Sequence, residues 1–457
     1  MSGGTVKKNL WCGAGLVLVA LAVVGRVDVT AQTGRSAVAA PTFSKDVAPI
    51  LYKNCVSCHR AGEIGPMSLV TYDEVRPWAR AVRDRVNNGQ MPPWFAEGDH
   101  GRFTNERRLT EQEKATITAW VAGGAPQGDK KLMPPMPQFA TGWQIGKPDV
   151  VFEMPESFSI PASGTLEYQF YEVPTNFTED RWIQAAEVRP SDPKHVHHVI
   201  VSVIEPTREA RPGILQVKPI VPPNLPPAPP RAARPTPTDE EKATAARRGG
   251  AITLVPWAAG EEPHVYPVGT AKRIPAGSTL LFSQHYTANG TASSDKTKIG
   301  FVFAKEPPQR EIRTGQILNT QFVIPPGAND VQVEAEATMT DDAKVWTLHP
   351  HMHLRGKDMT YTVIYPDGRS EVVLKVPRYY PDWQTDYYLK EPLVLPKGSK
   401  IHVTAHFDNS PGNKYNPNAN DTIRWGEQSW EEMMIGWLTY TADHVAPPGA
   451  RGTGQQQ

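Results

Sequence analysis

Cys55-Val56-Ser57-Cys58-His59 sets two thiols three residues apart and follows the second at once with an imidazole. Two thiols on one turn of helix can add across the two vinyl groups of a haem, and the next residue is then placed to ligate the iron from the proximal side. A zinc half-site would need a second ligand pair, which the roughly eighty residues that follow do not offer. In an oxidising compartment the two cysteines alone could form a small disulfide loop, but the histidine directly after them favours haem attachment.

Thirteen histidines occur, and most gather in short clusters: Lys194-His195-Val196-His197-His198, Gln284-His285-Tyr286 and His349-Pro350-His351-Met352-His353. Residues two apart on a strand project to one face, so His351 and His353 can converge on a single metal. Adjacent His197 and His198 would splay across a flat strand and must sit at a twist or a strand end. Any one of these histidines alone reads as an ordinary structural residue, whereas the three clusters together read as metal sites. Trp430-Glu431-Glu432-Met433-Met434 precedes the last strand. A thioether beside imidazoles selects copper, because sulfur stabilises Cu(I); taken alone, Met433 reads as core.

The elements that must carry these residues fall into three segments. Residues 43–128 read as helical, with helices over 45–55, 72–87 and 110–122, the helix count of a small cytochrome. Thr110-Glu111-Gln112-Glu113 opens the last helix with a capping-box pattern. For the sixth iron ligand the segment offers Met67 and Met91, and Met91, in Gln-Met-Pro-Pro-Trp, resembles the axial-ligand loop of His/Met cytochromes c. A linker over 129–147 follows. Residues 148–308 and 309–443 then alternate apolar and polar positions in short runs with turn signals between them, the pattern of two all-β sandwiches. A proline-rich stretch over 217–248 interrupts the first of these and reads as a surface loop unable to join a sheet. Trp257, Tyr286 and Trp437 read as core aromatics, and 444–457 as a disordered tail.

With 457 residues the chain is long enough for several cores. Its 48 basic and 48 acidic residues cancel, and no basic stripe is interleaved with aromatics, so a nucleic-acid partner is not expected. Lys7 and Lys8 precede an apolar run, and Val29-Thr30-Ala31 supplies small residues for a signal peptidase, so 1–31 reads as a signal peptide. The expected location is exported, periplasmic or extracellular, with membrane contact only through the leader if it stays uncleaved. Cys12 leaves with that leader, so Cys55 and Cys58 are the only cysteines of the mature chain.

Over residues 145–445 the sequence resembles the copper type II, ascorbate-dependent monooxygenases, the family of peptidylglycine α-hydroxylating and dopamine β-monooxygenases. The motifs are His197-His198, His285-Tyr286 with Pro267-Val268-Gly269 ahead of it, His351-Met352-His353-Leu354-Arg355-Gly356 and Glu432-Met433. The resemblance implies two jelly-roll-like sandwiches, each holding one copper across a solvent-filled cleft. It implies His197, His198 and His285 around the first copper and His351, His353 and Met433 around the second, where O2 would react. His195 and His349 stand beside these sets and could displace a member. The chain departs from the animal members in having no cysteines left for disulfides. It departs from the peptide-acting members in placing His349, Ile435 and Trp437 where those carry substrate-gripping arginine, asparagine and tyrosine.

The expected protein is therefore an all-α cytochrome c domain followed by two jelly-roll-like sandwiches, holding two copper ions and one covalently bound haem c. The expected reaction is hydroxylation of a C–H bond of a small organic substrate by O2. Electrons would come from ascorbate or a redox protein through the haem, and the first copper would deliver the second electron. Two other readings use the same residues: a haem–copper electron relay without oxygen insertion, and an exported copper-binding protein.

Overall fold

The computed structural model describes residues 40–98, 100–139, 142–164, 166–206, 213–222, 238, 244, 247–258 and 260–442. The expected leader, the tail and most of the proline-rich stretch 217–248 lie outside the described residues. The rest is mostly β, with a small helical region ahead of the strands.

In the helical region a wide π-helical turn Phe43–Val47 runs straight into the helix Ala48–Asn54, which stops just before Cys55. The expected helix over 72–87 is present in pieces, Tyr72–Val75 and Ala79–Asn87, joined by a narrower turn at Arg76–Trp78. Pro77 causes the break, since it has no N–H for the helical ladder. Thr110 and Glu113 close a capping box on Glu111–Ala122. Phe43, Leu51, Ile117 and Trp120 are fully buried at the centre of this region, and the Phe43 ring packs edge-on to Tyr72 at 5.5 Å.

Four main sheets follow. The first runs Val150–Glu153, Lys298–Phe303, Arg181–Arg189, Thr270–Ile274, with Arg310–Glu311 at its end. The second runs Gln169–Pro174, Thr279–Tyr286, Val196–Ile204, Ile252–Ala258. These two share one apolar core that includes Ile183, Val199, Leu280, Phe282 and Phe301. The third sheet runs Arg313–Leu318, Ile435–Ala442, Ala343–His351, Tyr387–Leu395. The fourth runs Ser370–Val376, Gly356–Ile364, Lys400–Phe407, Val331–Met339, Leu215–Ile220. Ile317, Val345, Tyr361, Val403 and Phe407 lie in the core that the last two sheets share.

The proline-rich stretch corrects one expectation. Its first residues belong to the strand Leu215–Ile220, paired antiparallel with Val331–Met339, with Pro219 opposite Ala335. The strand is at the sheet edge, where a residue without an N–H leaves no ladder bond unmade. Ile252–Ala258, which carries Pro256, and Tyr387–Leu395, which carries Pro392, are edge strands for the same reason. The 215–220 strand also takes a piece of the first β segment into a sheet of the second. In the reverse direction, Arg310–Glu311 pairs parallel with Thr270 and Ala271 in the first sheet.

The helical region is docked rather than hung on a linker alone. Trp94 and Phe103 pack with Tyr387 at ring distances of 5.0 and 5.3 Å, and Phe95 stacks on Tyr380 at 5.2 Å. Backbone bonds add to this: Thr104 N donates to the Tyr388 carbonyl and Glu97 N to the Lys375 carbonyl, at 2.9 and 2.7 Å.

Candidate metal centres and the cleft between them

A β-bulge builds the first histidine cluster. His285 pairs with His198, but Tyr286 pairs with Val196, so His197 is the extra residue on its strand. The extra residue bends the strand and re-aims its side chains, which is how two adjacent histidines reach one point. Nitrogens of His197, His198 and His285 lie within 4.8 Å of one another. Nδ1 of His197 and Nδ1 of His198 face each other at 2.9 Å. The Nε2 atoms are engaged elsewhere: His198 with the Tyr168 hydroxyl at 2.8 Å, His285 with Ser429 Oγ at 3.4 Å, and His197 with the Asp382 carboxylate at 3.6 Å. Tyr168 also stacks flat on the His285 ring at 4.7 Å.

His285 Nδ1 is buried with no hydrogen-bond partner among the described residues. A buried nitrogen left unpaired is costly, and a metal shared by three imidazoles would satisfy it. Burial favours the neutral, ligating form of His198 and His285. It lowers His198 well below its ordinary value and His285 to about 3, with neighbouring imidazoles adding to the effect.

The second cluster lies where the strand Ala343–His351 ends. Pro350 is accommodated because pairing with Tyr387–Leu395 stops at Leu348, leaving one neighbouring strand there. His351 and His353 rings stand nearly perpendicular with centroids 5.3 Å apart. His351 Nδ1 donates to Gln384 Oε1 at 2.7 Å, and His353 Nδ1 donates to the Glu431 carbonyl at 3.3 Å. Those bonds fix the tautomer and leave both Nε2 atoms as electron-pair donors. Between the two histidines, the Tyr379 hydroxyl accepts from Met352 N and donates to the Met352 carbonyl. Met433 is half-buried. It follows Glu432, whose buried carboxylate accepts from His353 N at 2.8 Å and Arg355 N at 2.6 Å, so its segment is latched to the histidine turn.

Of the two extra histidines, one has both ring nitrogens bonded and the other has Nδ1 bonded. His195 bonds Asp192 at 2.6 Å and the Thr291 carbonyl at 3.1 Å, using both ring nitrogens. His349 Nδ1 bonds Asp386 at 3.0 Å. Glu261, His349 and Asp386 form a further compact group within 4.8 Å. Asp386 N donates to Glu261 Oε1 at 2.8 Å, and burial raises the Glu261 carboxyl, with the Asp386 charge adding to it. Lys272 sits nearby, its ammonium donating to the Leu254 carbonyl and Thr314 Oγ1.

One cleft of about 630 Å³, counting its open mouth, is walled by His198 on one side and His351, His349 and Asp386 on the other. Trp257 and Trp437 line it together with Val199 and Leu438, so these two tryptophans are cleft residues and not core as expected. Tyr286, at 2% exposure, is core. Gln384, Asp386, Glu261, Tyr168 and Ser429 were not legible as site residues. They come from chain positions 30 to 144 residues from the histidines or carboxylate they touch, and no local pattern marks such partners.

At the cysteine motif both thiols are free, and His59 Nδ1 donates to the Met67 carbonyl at 3.2 Å, leaving Nε2 available. Burial pushes the Cys55 thiol up to about 12, so this cysteine is no exposed redox thiolate. Gly65 is required by close approach: a Cβ there would lie 2.7 Å from the Cys58 carbonyl and from His59 Nδ1. These features fit covalent haem attachment with His59 as proximal ligand. Met91 is 41% exposed, in a groove whose walls include Val86, Trp94, Leu109 and Arg378. Met67 offers its carbonyl to Nδ1, the ring edge away from Nε2.

No protein-family model and no curated protein matches the chain. Among solved structures, the infectious bursal disease virus Gx strain is similar at 11% identity, with 66% of this chain and 75% of that chain covered and a TM-score of 0.19. Saccharomyces cerevisiae allantoicase is similar at 8% identity, with 55% and 79% covered and a TM-score of 0.15. Likenesses this low carry no argument about the fold or the function.

Proposed function

We propose that the chain is an exported copper-dependent monooxygenase that hydroxylates a C–H bond of a small organic substrate, with electrons entering through a c-type haem attached at Cys55, Cys58 and His59. In this reading the helical region is a cytochrome c domain and the paired sheets are jelly-roll-like sandwiches. Its main support is that two imidazole clusters, His197/His198/His285 and His351/His353, contribute His198 and His351 to the walls of one cleft. Donor chemistry adds to it, since imidazoles with the Met433 thioether suit copper. Copper would supply one-electron redox chemistry and O2 activation, and the haem would supply electrons.

The protein's own residues have separable tasks. Tyr168, Asp382 and Ser429 hold the first set of rings through Nε2, and Gln384 and the Glu431 carbonyl hold the second through Nδ1. The apolar walls at Val199, Trp257, Trp437 and Leu438 suit an uncharged or aromatic portion of substrate and exclude water from its reacting carbon. Docking of the helical region replaces the need for a diffusing reductant at the cleft.

A metal and haem count on the purified full chain, together with O2 uptake, tests the proposal. Two coppers per haem and O2 consumption matched to hydroxylated product are expected, and Met433→Ala should abolish O2 consumption while haem is retained. Copper and haem present with electron transfer but no O2-derived oxygen in any product would favour the relay. Copper retained in Met433→Ala with no redox function in either protein would favour storage.

A further inference from the structure

We propose that Trp383 and Gln384 bridge the haem-attachment motif to the His351–His353 site, so that electrons enter the cleft at that site and not at the bulged histidine cluster. The inference rests on the function proposed above and adds a route and an order to it.

The segment 379–386 bonds both histidine clusters, through Asp382 to His197 and Gln384 to His351, and its Trp383 shares the neighbourhood of Gly260 with Cys58. Gly260 shows how closely it meets the cysteine motif: a Cβ placed there would lie 2.9 Å from Cys58 Sγ and 3.3 Å from Cη2 of the Trp383 indole. One methyl group would thus touch both, and only glycine allows the approach. Arg107 seals the same spot, donating to the Gly260 carbonyl at 2.6 Å with its guanidinium 5.6 Å from the Trp383 ring centroid. The next residue, Gln384, accepts the 2.7 Å hydrogen bond from His351 Nδ1 and is anchored by its own amide donating to the Pro381 carbonyl at 3.2 Å. Gln384 is 8% exposed and His351 6%. The connection from Cys58 to the His351 ring is therefore a through-space gap spanned by the Gly260 position, an indole, a stretch of covalent backbone and side chain, and one short hydrogen bond.

The bulged cluster has a poorer link. Its connection to the same segment is His197 Nε2 to Asp382 at 3.6 Å, through a carboxylate that is 61% exposed. Electron tunnelling falls steeply with through-space distance and favours covalent and hydrogen-bonded paths, so the tryptophan–glutamine path wins. Each transfer would move one electron, oxidising by one unit a haem held at Cys55, Cys58 and His59 and reducing by one unit a copper held at His351 and His353. Trp383 and Gln384 make or break no bond and lose no proton, and an external one-electron donor re-reduces the haem.

The test uses the full chain with haem and Cu(II) loaded. Under anaerobic conditions the haem is reduced in a fast flash-photoreduction step, and its re-oxidation is followed by absorbance while the Cu(II) signal is followed by freeze-quench EPR. Trp383→Leu should slow haem re-oxidation by about tenfold or more with haem and copper counts unchanged, and Trp383→Phe should recover much of the rate. Gln384→Ala interrupts the other end of the path and should slow the same phase, which covers a Trp383→Leu protein that fails to fold. His285→Ala, which breaks the bulged cluster, should keep a fast phase of one electron per haem. The bridge is overturned if Trp383→Leu and Gln384→Ala re-oxidise at the parental rate, or if the fast phase disappears in His285→Ala alone. A parental protein that binds no copper, or whose haem never passes an electron on, would instead overturn the function proposed above.

Discussion

Lys272 is a buried cation beside the cleft, and its ionisation ties stability to pH. Burial lowers its ammonium from 10.5 to about 8, with the Asp386 carboxylate pulling in the opposite direction. The unfolded chain holds this proton more tightly, so between pH 8 and 10.5 unfolding takes up a proton and stability rises with pH. Below pH 8 both states are protonated and the penalty is constant. Lys272→Met should remove the rise. Urea unfolding across this range should show the parent gaining stability on the variant as pH increases, and parallel profiles would refute the assignment. At this scale the ligand types were legible, because Cys-x-x-Cys-His and the histidine clusters declare their chemistry through residue type and spacing. Which nitrogen of each ring is left free was not legible, since Tyr168, Ser429 and Gln384 decide it from distant positions.

Elements explain how those residues are aimed. Arg355 is fully buried at the start of the turn after His353. It donates to Asn409 Oδ1 at 2.8 Å and the Trp430 carbonyl at 2.9 Å, and its backbone N bonds Glu432. The arginine therefore fastens the 428–433 segment, with Met433, to the histidine turn. Arg355→Met should destabilise the protein by about 3 kcal/mol, because it leaves Asn409 Oδ1 and the Trp430 and Asn418 carbonyls without their donor and removes the positive charge near Glu432. Copper should fall from two towards one per chain, and an unchanged count by elemental analysis would show that the segment is held some other way. Strand positions were largely legible from alternation. The bulge at His197 was visible only as a requirement that adjacent histidines sit at an irregularity, and the edge strands 215–220 and 252–258 were hidden by their prolines. A proline excludes a central strand but not an edge, and edge status is a property of the assembled sheet.

For the whole molecule, the main consequence is that the helical region and the β regions are packed as one body through Trp94, Phe95 and Phe103. Phe103 is 7% exposed and Trp94 6%, so each makes a core-like contact with the Tyr387 region. Either residue changed to Ala should cost about 3 kcal/mol and separate loss of the helical region from loss of the sheets. Thermal unfolding followed by haem absorbance and far-ultraviolet dichroism should resolve two transitions in the variants and one in the parent; a single transition throughout would mean the contact adds little.

The sequence by itself determined the donor chemistry: two thiols with an adjacent imidazole, three histidine clusters, a methionine before the last strand, and the alternation that makes the long second part β. Those features are local, and local spacing fixes which side chains share a turn or a face. Tertiary structure alone decided that Leu215–Ile220 crosses to the far sheet, that His349 joins Asp386 and Glu261, and that Gly260 lies close to both Cys58 and Trp383. Each of these is a meeting of residues far apart in the chain, set by how the sheets and the helical region pack, and packing leaves no periodic mark in the sequence.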